Sequence, residues 1–210
     1  MKRLIALIAV LLLLLSVPAC AEASGIFDLL DKSSISYEAD LEAYYLSEMI
    51  DAAKRGDVEA GRTACRNRDE IIERKSLDAQ ALSFDDLYLL ARLIHAEAGS
   101  DWLTDEFRMC IGEVVMNRVA SPEFPNTLSE VVYQKGQYSC VTKPGFESLV
   151  PGENCVDIAL ELLRGERIMA GSVVYCSSMI QGDVFSVYED WRLGVTYFCV
   201  SPNIDLYPIE

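Results

Sequence analysis

A glutamate that closes an apolar helical row is the first residue in this chain whose setting suggests chemistry. In DLYLLARLIHAEAGSDW, residues 86–102, Leu90, Leu93 and Glu97 recur at i, i+3 and i+7, so they share a helical face. Gly99 supplies a helix end just beyond. If the row is buried, desolvation disfavours the charged carboxylate, and so does the partial negative charge of a helix C-terminus. A carboxyl group that keeps its proton near neutral pH is a general acid, the group that glycoside cleavage requires. Glycosidases commonly pair such an acid with a second carboxylate. Asp101, Glu106 and Glu113 are the candidates, and none combines an apolar row with a helix end. Without a second carboxylate, the C6 hydroxyl of the sugar can itself attack the anomeric carbon. One residue then serves both proton transfers, and the product is an anhydro sugar. His95 is the sole histidine and no GxSxG elbow accompanies it, so a serine hydrolase lacks its parts. A cysteine peptidase would have to combine Cys140 with His95.

The elements that must hold Glu97 follow from caps and periodicity. Ser83 caps a helix over 84–98, with Asp85 and Asp86 in its first turn. Thr104 caps another over 105–119, whose side chains at Phe107, Cys110, Ile111, Val114, Val115 and Arg118 have the spacing of a core-facing stripe. Ser121, Pro122, Pro125 and Asn126 force a loop, and a short helix follows over 128–133. Residues 134–152, with Gly136, Pro144, Gly145, Pro151 and Gly152, form an irregular stretch of the kind that often carries function. A helix over 153–164 ends at Gly165, and β-rich runs at 172–178, 184–188 and 195–201 predict a small antiparallel sheet. Upstream, helices over 37–55 and 58–75 make a hairpin too charged to hold a large core alone. It reads as a packing brace, with a docking element as the alternative. SLDAQALSFDD, residues 76–86, marks the boundary. The domains are thus a leader over 1–23, a helical hairpin over 24–80 and a catalytic domain over 81–210.

Lys2 and Arg3 precede an apolar run from Leu4 to Leu15, too short to span a bilayer comfortably and shaped like a signal-peptide core. Small residues at Ala21 and Ala23 offer a cleavage site, and Cys20 offers lipid anchoring as the minor alternative. The formal net charge is −15; loss of 1–23 removes two cations and one anion and leaves −16. No basic stripe is available for nucleic acid, and any polyanion must be gripped by local contacts. Six cysteines follow Cys20, an even number that permits disulfides in an exported chain, with Cys140–Cys155 and Cys176–Cys199 the preferred pairs from proximity. No CxxC or Cys/His cluster has zinc-ligand spacing, so neither a metal nor a cofactor is expected.

The runs LARLIHAEAGSDW (90–102) and VVMNRVASPEFPNTLSEVVYQKGQYSCV (114–141) resemble the core of the SleB/CwlJ-type cell-wall hydrolases, the spore-cortex-lytic enzyme family. The resemblance covers about residues 84–200. It implies an α+β fold: a mainly helical, lysozyme-like catalytic domain with a small antiparallel sheet, here preceded by the hairpin. It implies peptidoglycan as substrate and Glu97 as the catalytic acid. It puts Asn117, Arg118, Gln137, Tyr138 and Ser139 in segments that shape a glycan cleft, although Asn117 and Arg118 read equally well as packing residues. Trp102 and Tyr138 offer sugar-stacking faces, and His95 is a polar helix residue facing the cleft or a neighbour. Many relatives continue Glu-Ala-Arg-Gly-Glu where this chain has Glu97, Ala98, Gly99, Ser100 and Asp101, and GVTYF (194–198) lacks the histidine often found there. The expected protein is an exported, monomeric enzyme of the cell wall or spore envelope that cleaves the MurNAc-GlcNAc backbone as a lytic transglycosylase. A regulatory envelope or spore protein is a possible partner. The alternatives are a water-using muramidase or glucosaminidase and a non-catalytic peptidoglycan-binding envelope protein.

Overall fold

The computed structural model describes residues 41–75 and 83–207. The leader of 1–23, Cys20, residues 37–40 of the first expected helix and residues 76–82 of the boundary lie outside the described residues. Helix α1 covers 41–55, and Gly56 (φ +70°) ends it; Asp57 then accepts the Ala60 N–H and caps α2, Val58–Lys75. Helix α3, Phe84–Ala98, starts at Ser83, whose hydroxyl accepts from the Asp86 N–H. Helix α4, Asp105–Ala120, and the short α5, Leu128–Val132, start at Thr104 and Thr127 in the same way. Helix α6 is Glu153–Leu163. Strands β1 (Val173–Ser177), β2 (Val184–Asp190) and β3 (Gly194–Val200) form one antiparallel sheet in the order β1-β3-β2. The architecture is therefore α+β, mainly helical with a small sheet.

Two apolar clusters hold these elements. In the first, Leu87, Leu90, Leu93 and Ile94 of α3 meet Cys155, Val156, Ala159 and Leu162 of α6 and Val131 and Val132 of α5. Met49 and Ala53 of α1 and Ala64 of α2 join the same cluster. In the second, Ala98, Leu103 and Phe107, Ile111 and Val114 of α4 meet Met169, Val173 and Phe198 beneath the sheet. Helix α4 contributes to both, since Val115 belongs to the first. Gly112 makes its close crossing possible: a Cβ there would meet Leu162 at 2.5 Å and Ile94 at 2.7 Å.

A helix buried on two sides must also bury polar residues, and α4 buries four. Glu113 accepts the Ile168 and Met169 N–H groups at 2.9 and 2.8 Å. Asn117 donates to the carbonyls of Ala170 and Val173, both at 3.0 Å, and Arg118 Nε donates to the Val174 carbonyl at 2.7 Å. Arg108 Nε and Nη2 donate to the carbonyls of Ala98 and Ser100 at 3.0 and 2.8 Å. One helix thus fixes both the loop that leaves α3 and the backbone that enters β1.

None of the six described cysteines forms a disulfide. The proximity pairs fail for geometric reasons. Across the β1–β3 register Cys176 faces Phe198 while Cys199 faces Tyr175, so the two thiols lie on opposite sides of the sheet. Cys140 is turned towards Glu97, and Cys155 towards His95.

Candidate active site

The C-terminal end of α3 and the loop 136–142 enclose a cleft of about 360 Å³ lined by Glu97, Gly136, Gln137, Tyr138, Ser139 and Thr142. Glu97 is the one carboxylate among these six residues. The helix delivers it there because the apolar row through Leu90 and Leu93 is fully buried and fixes the rotation of the last turn. The row does not, however, carry burial as far as Glu97, which is exposed. The expectation of a carboxylate desolvated by its own row is therefore corrected: burial along this face stops at Leu93 and Ile94, while Ala98, on another face, enters the second cluster.

Gly99 follows with ordinary helical φ, −75°, and its N–H bonds to the His95 carbonyl at 2.8 Å. Space, not conformation, demands glycine there, since a Cβ would sit 2.3 Å from the His95 oxygen. Arg108 then holds the chain at Ala98 and Ser100, and Leu103 anchors it in the second cluster. Glu97 consequently stands on a backbone secured on both sides.

The groups facing Glu97 keep their protons. Burial pushes the Cys140 thiol up to about 12, with the adjacent Glu97 carboxylate adding to the effect. Burial and then Glu97 push Cys176 up to about 12 as well, against an opposing pull from Arg118. Burial also raises the Tyr138 phenol to about 12; Arg118 opposes, and Cys176 and Glu97 reinforce. Behind Tyr138, the Arg118 guanidinium lies between two rings, 5.2 Å from the Tyr138 centroid and 5.0 Å from that of Phe124. Arg118 is 5% exposed, yet its Nη1 and the Tyr138 hydroxyl have no geometrically acceptable hydrogen-bond partner. Both atoms are buried, and each costs stability for as long as no group meets it.

Of the residues singled out in sequence, Gln137, Tyr138 and Ser139 join Glu97 in the cleft, and Arg118 supports Tyr138 from behind. Trp102 is half exposed on the turn after Glu97. Asn117 is buried and bonded to two backbone carbonyls, the packing reading of that residue. His95 lies in a neighbouring cleft of about 390 Å³ with Cys140, Lys143 and Phe146. Its Nδ1 accepts the Gly152 N–H at 3.0 Å and lies 3.9 Å from the Cys155 sulfur, so it ties the start of α6 to α3. A Cys140–His95 nucleophilic pair has no support in this arrangement, because a thiol held at about 12 is no nucleophile near neutral pH. Sequence reasoning missed Gly136, Thr142, Cys140 and Cys176 as neighbours of Glu97. Gly136 and Cys140 flank residues already singled out and Thr142 lies three positions after Ser139; Cys176 arrives from β1 with no local signal. Among the possible second carboxylates, Glu113 is 0% exposed with both oxygens bonded to backbone, and neither Asp101 nor Glu106 lines the cleft.

Comparison with known proteins gives three results. Residues 104–195 match the Cell Wall Hydrolase family, a segment running from the cap of α4 into β3 and beginning just after Glu97. Over 130 residues the chain is 25% identical to a spore cortex-lytic enzyme of Halalkalibacterium halodurans, covering 61% of this chain and 38% of that protein's length. The chain therefore spans well under half of that curated relative. The crystal structure of the catalytic domain of the Bacillus cereus SleB protein superimposes with a TM-score of 0.43 at 23% identity, covering 56% of this chain and 91% of that one.

Proposed function

We propose that the chain is an exported enzyme that cleaves the glycan backbone of peptidoglycan with Glu97 as its single acid/base, a reading supported by the match of residues 104–195 to the Cell Wall Hydrolase family. The observation that carries this reading is a lone carboxylate, Glu97, in a cleft otherwise lined by Gly136, Gln137, Tyr138, Ser139 and Thr142. Glu97 is the one carboxylate among the lining residues and therefore the candidate for both proton transfers.

In the proposed cycle the protonated Glu97 donates to the glycosidic oxygen as the bond to the anomeric carbon breaks. The resulting carboxylate takes the proton of the C6 hydroxyl as that oxygen closes on the anomeric carbon. The cycle leaves Glu97 protonated, and the new chain end is a 1,6-anhydro sugar. The absence of a second carboxylate among the cleft residues supports internal attack over attack by activated water. We assign the unpartnered Tyr138 hydroxyl, on a ring that lines the cleft, to a polar group of a bound sugar; Arg118 lies buried behind that ring. Export rests on the basic and apolar leader of residues 1–15, and a wall substrate requires it.

Purified Glu97→Gln protein should release no muropeptides from isolated sacculi under conditions in which wild type clears them. Release at the wild-type rate would remove Glu97 from its role. Mass spectrometry of the wild-type products separates the mechanisms: anhydro ends mark internal attack, reducing ends a water-using muramidase or glucosaminidase.

A further inference from the structure

The turn between β2 and β3 displays two side chains that sequence reasoning passed over. Asp190 pairs with Gly194 and leaves Trp191, Arg192 and Leu193 as a three-residue connection. Asp190 accepts the N–H groups of Arg192 and Leu193 at 2.8 and 3.2 Å, and Gly194 takes φ +85°, so the turn is fixed by its own sequence. Phe107 of α4 stacks on Tyr188 of β2 at 4.2 Å and seats the hairpin on the helix whose Arg108 holds the loop after Glu97. As a result the Arg192 guanidinium lies over Trp102 at 4.9 Å and over Trp191 at 4.7 Å. Trp102 is 48% exposed and Trp191 84%.

Cation–π attraction explains where Arg192 lies, but not why two indoles stay in water, since burial of either would stabilise the fold more. Nor does Arg192 form an ion pair among the described residues, in a chain where carboxylates far outnumber cations. Arg192 is itself exposed, so its guanidinium can be approached by a carboxylate, which it pairs with through two N–H groups. The exposed indoles offer rigid apolar plates, the surface on which the C–H face of a sugar ring packs.

We propose that Trp102, Arg192 and Trp191 form an accessory subsite for a peptide-bearing glycan. A sugar ring packs on an indole, and a carboxylate of the stem peptide meets the edge of Arg192. The inference rests on the reading of the chain as a peptidoglycan-cleaving enzyme. It supplies the local grip on an anionic polymer that a net charge of −15 otherwise opposes.

The test uses the full chain carrying Glu97→Gln, so that binding is read without cleavage, cosedimented with insoluble peptidoglycan either intact or stripped of stem peptides by an amidase. Adding Trp191→Ala should weaken binding to both forms roughly tenfold, and Trp191→Phe, which keeps a plate, should recover most of it. Adding Arg192→Gln should weaken binding to intact material roughly tenfold while changing binding to stripped strands less than about twofold. Thermal unfolding at the parent's midpoint will show that the turn is intact. If wild type clears sacculi while both the Trp191→Ala and Arg192→Gln proteins bind like their parent, the subsite is wrong and the enzyme reading stands. If wild type neither binds nor clears sacculi, the enzyme reading falls and takes the subsite with it.

Discussion

Tyr138 and Arg118 each bury a polar atom without a partner, at the fold's expense. A buried hydroxyl with no partner destabilises by its lost hydration, and a buried guanidinium with an open nitrogen does so more strongly. Both groups tolerate this beside Glu97, with Arg118 further secured by the Val174 carbonyl and the Phe124 ring. If the phenol serves a bound sugar, Tyr138→Phe should separate stability from activity. The variant should be as stable as wild type or up to about 1 kcal/mol more so, because an unsatisfied polar atom leaves the interior. Its turnover on sacculi should nevertheless fall about tenfold or more, the effect of losing a hydrogen bond in the bound state. Denaturant unfolding and a turbidity assay read the two quantities side by side. A variant that loses stability and keeps turnover would show instead that the hydroxyl is a partner of Arg118 and nothing more.

At the scale of elements, α4 does what its sequence disguises. Glu113, Asn117 and Arg118 look like the polar face of an ordinary surface helix, but each is buried and each holds backbone 53 to 56 residues further along the chain. Glu113→Gln should remove a charge-assisted acceptor from one of two backbone N–H groups and cost about 2 kcal/mol. A lower denaturant midpoint with an unchanged slope would register that loss; an unchanged midpoint would mean that Ile168 and Met169 find other acceptors. The contrast also explains what could be read from sequence. Helices announce themselves through local chemistry, as Ser83, Thr104 and Thr127 each cap with a hydroxyl three residues from its donor. The β-branched runs around Val173 and Val195 likewise predict strands from neighbours alone. The loop around Gln137, Tyr138 and Ser139 could be connected with Glu97 only through a family resemblance. Periodicity, in turn, places Glu97 on the right face but cannot say where the covering elements stop, so it overstates the burial of that side chain. Long-range pins such as Glu113 to Met169 leave no local mark at all, and neither does the meeting of Arg192 with Trp102.

For the molecule as a whole, excess negative charge makes acid the informative perturbation, and Glu123 concentrates its effect. Its carboxylate accepts hydrogen bonds from Ser201, Asn203 and Tyr207, so it binds the last described stretch of chain to the loop that leaves α4. The Ser201 and Asn203 bonds, in that order, hold its pKa below the ordinary glutamate value. The folded state thus takes up this proton less readily than the unfolded state does. The stabilisation is complete above the unfolded value of about 4.3 and is lost as pH falls through the lower folded value. Asp86 works in the opposite sense, since burial and then Asp85 raise its pKa and acid relieves that strain. Glu123→Gln isolates the first effect, because it keeps an acceptor but cannot titrate. Wild type should therefore lose thermal stability more steeply than Glu123→Gln as pH is lowered from about 5 into the range below 4. Above pH 5 the two should run parallel, with the variant lower by a constant amount. Tyr207 reports the same contact locally, so its fluorescence or amide exchange should change with the wild-type acid transition. Parallel curves throughout would show that the C-terminal stretch is held by contacts other than this carboxylate.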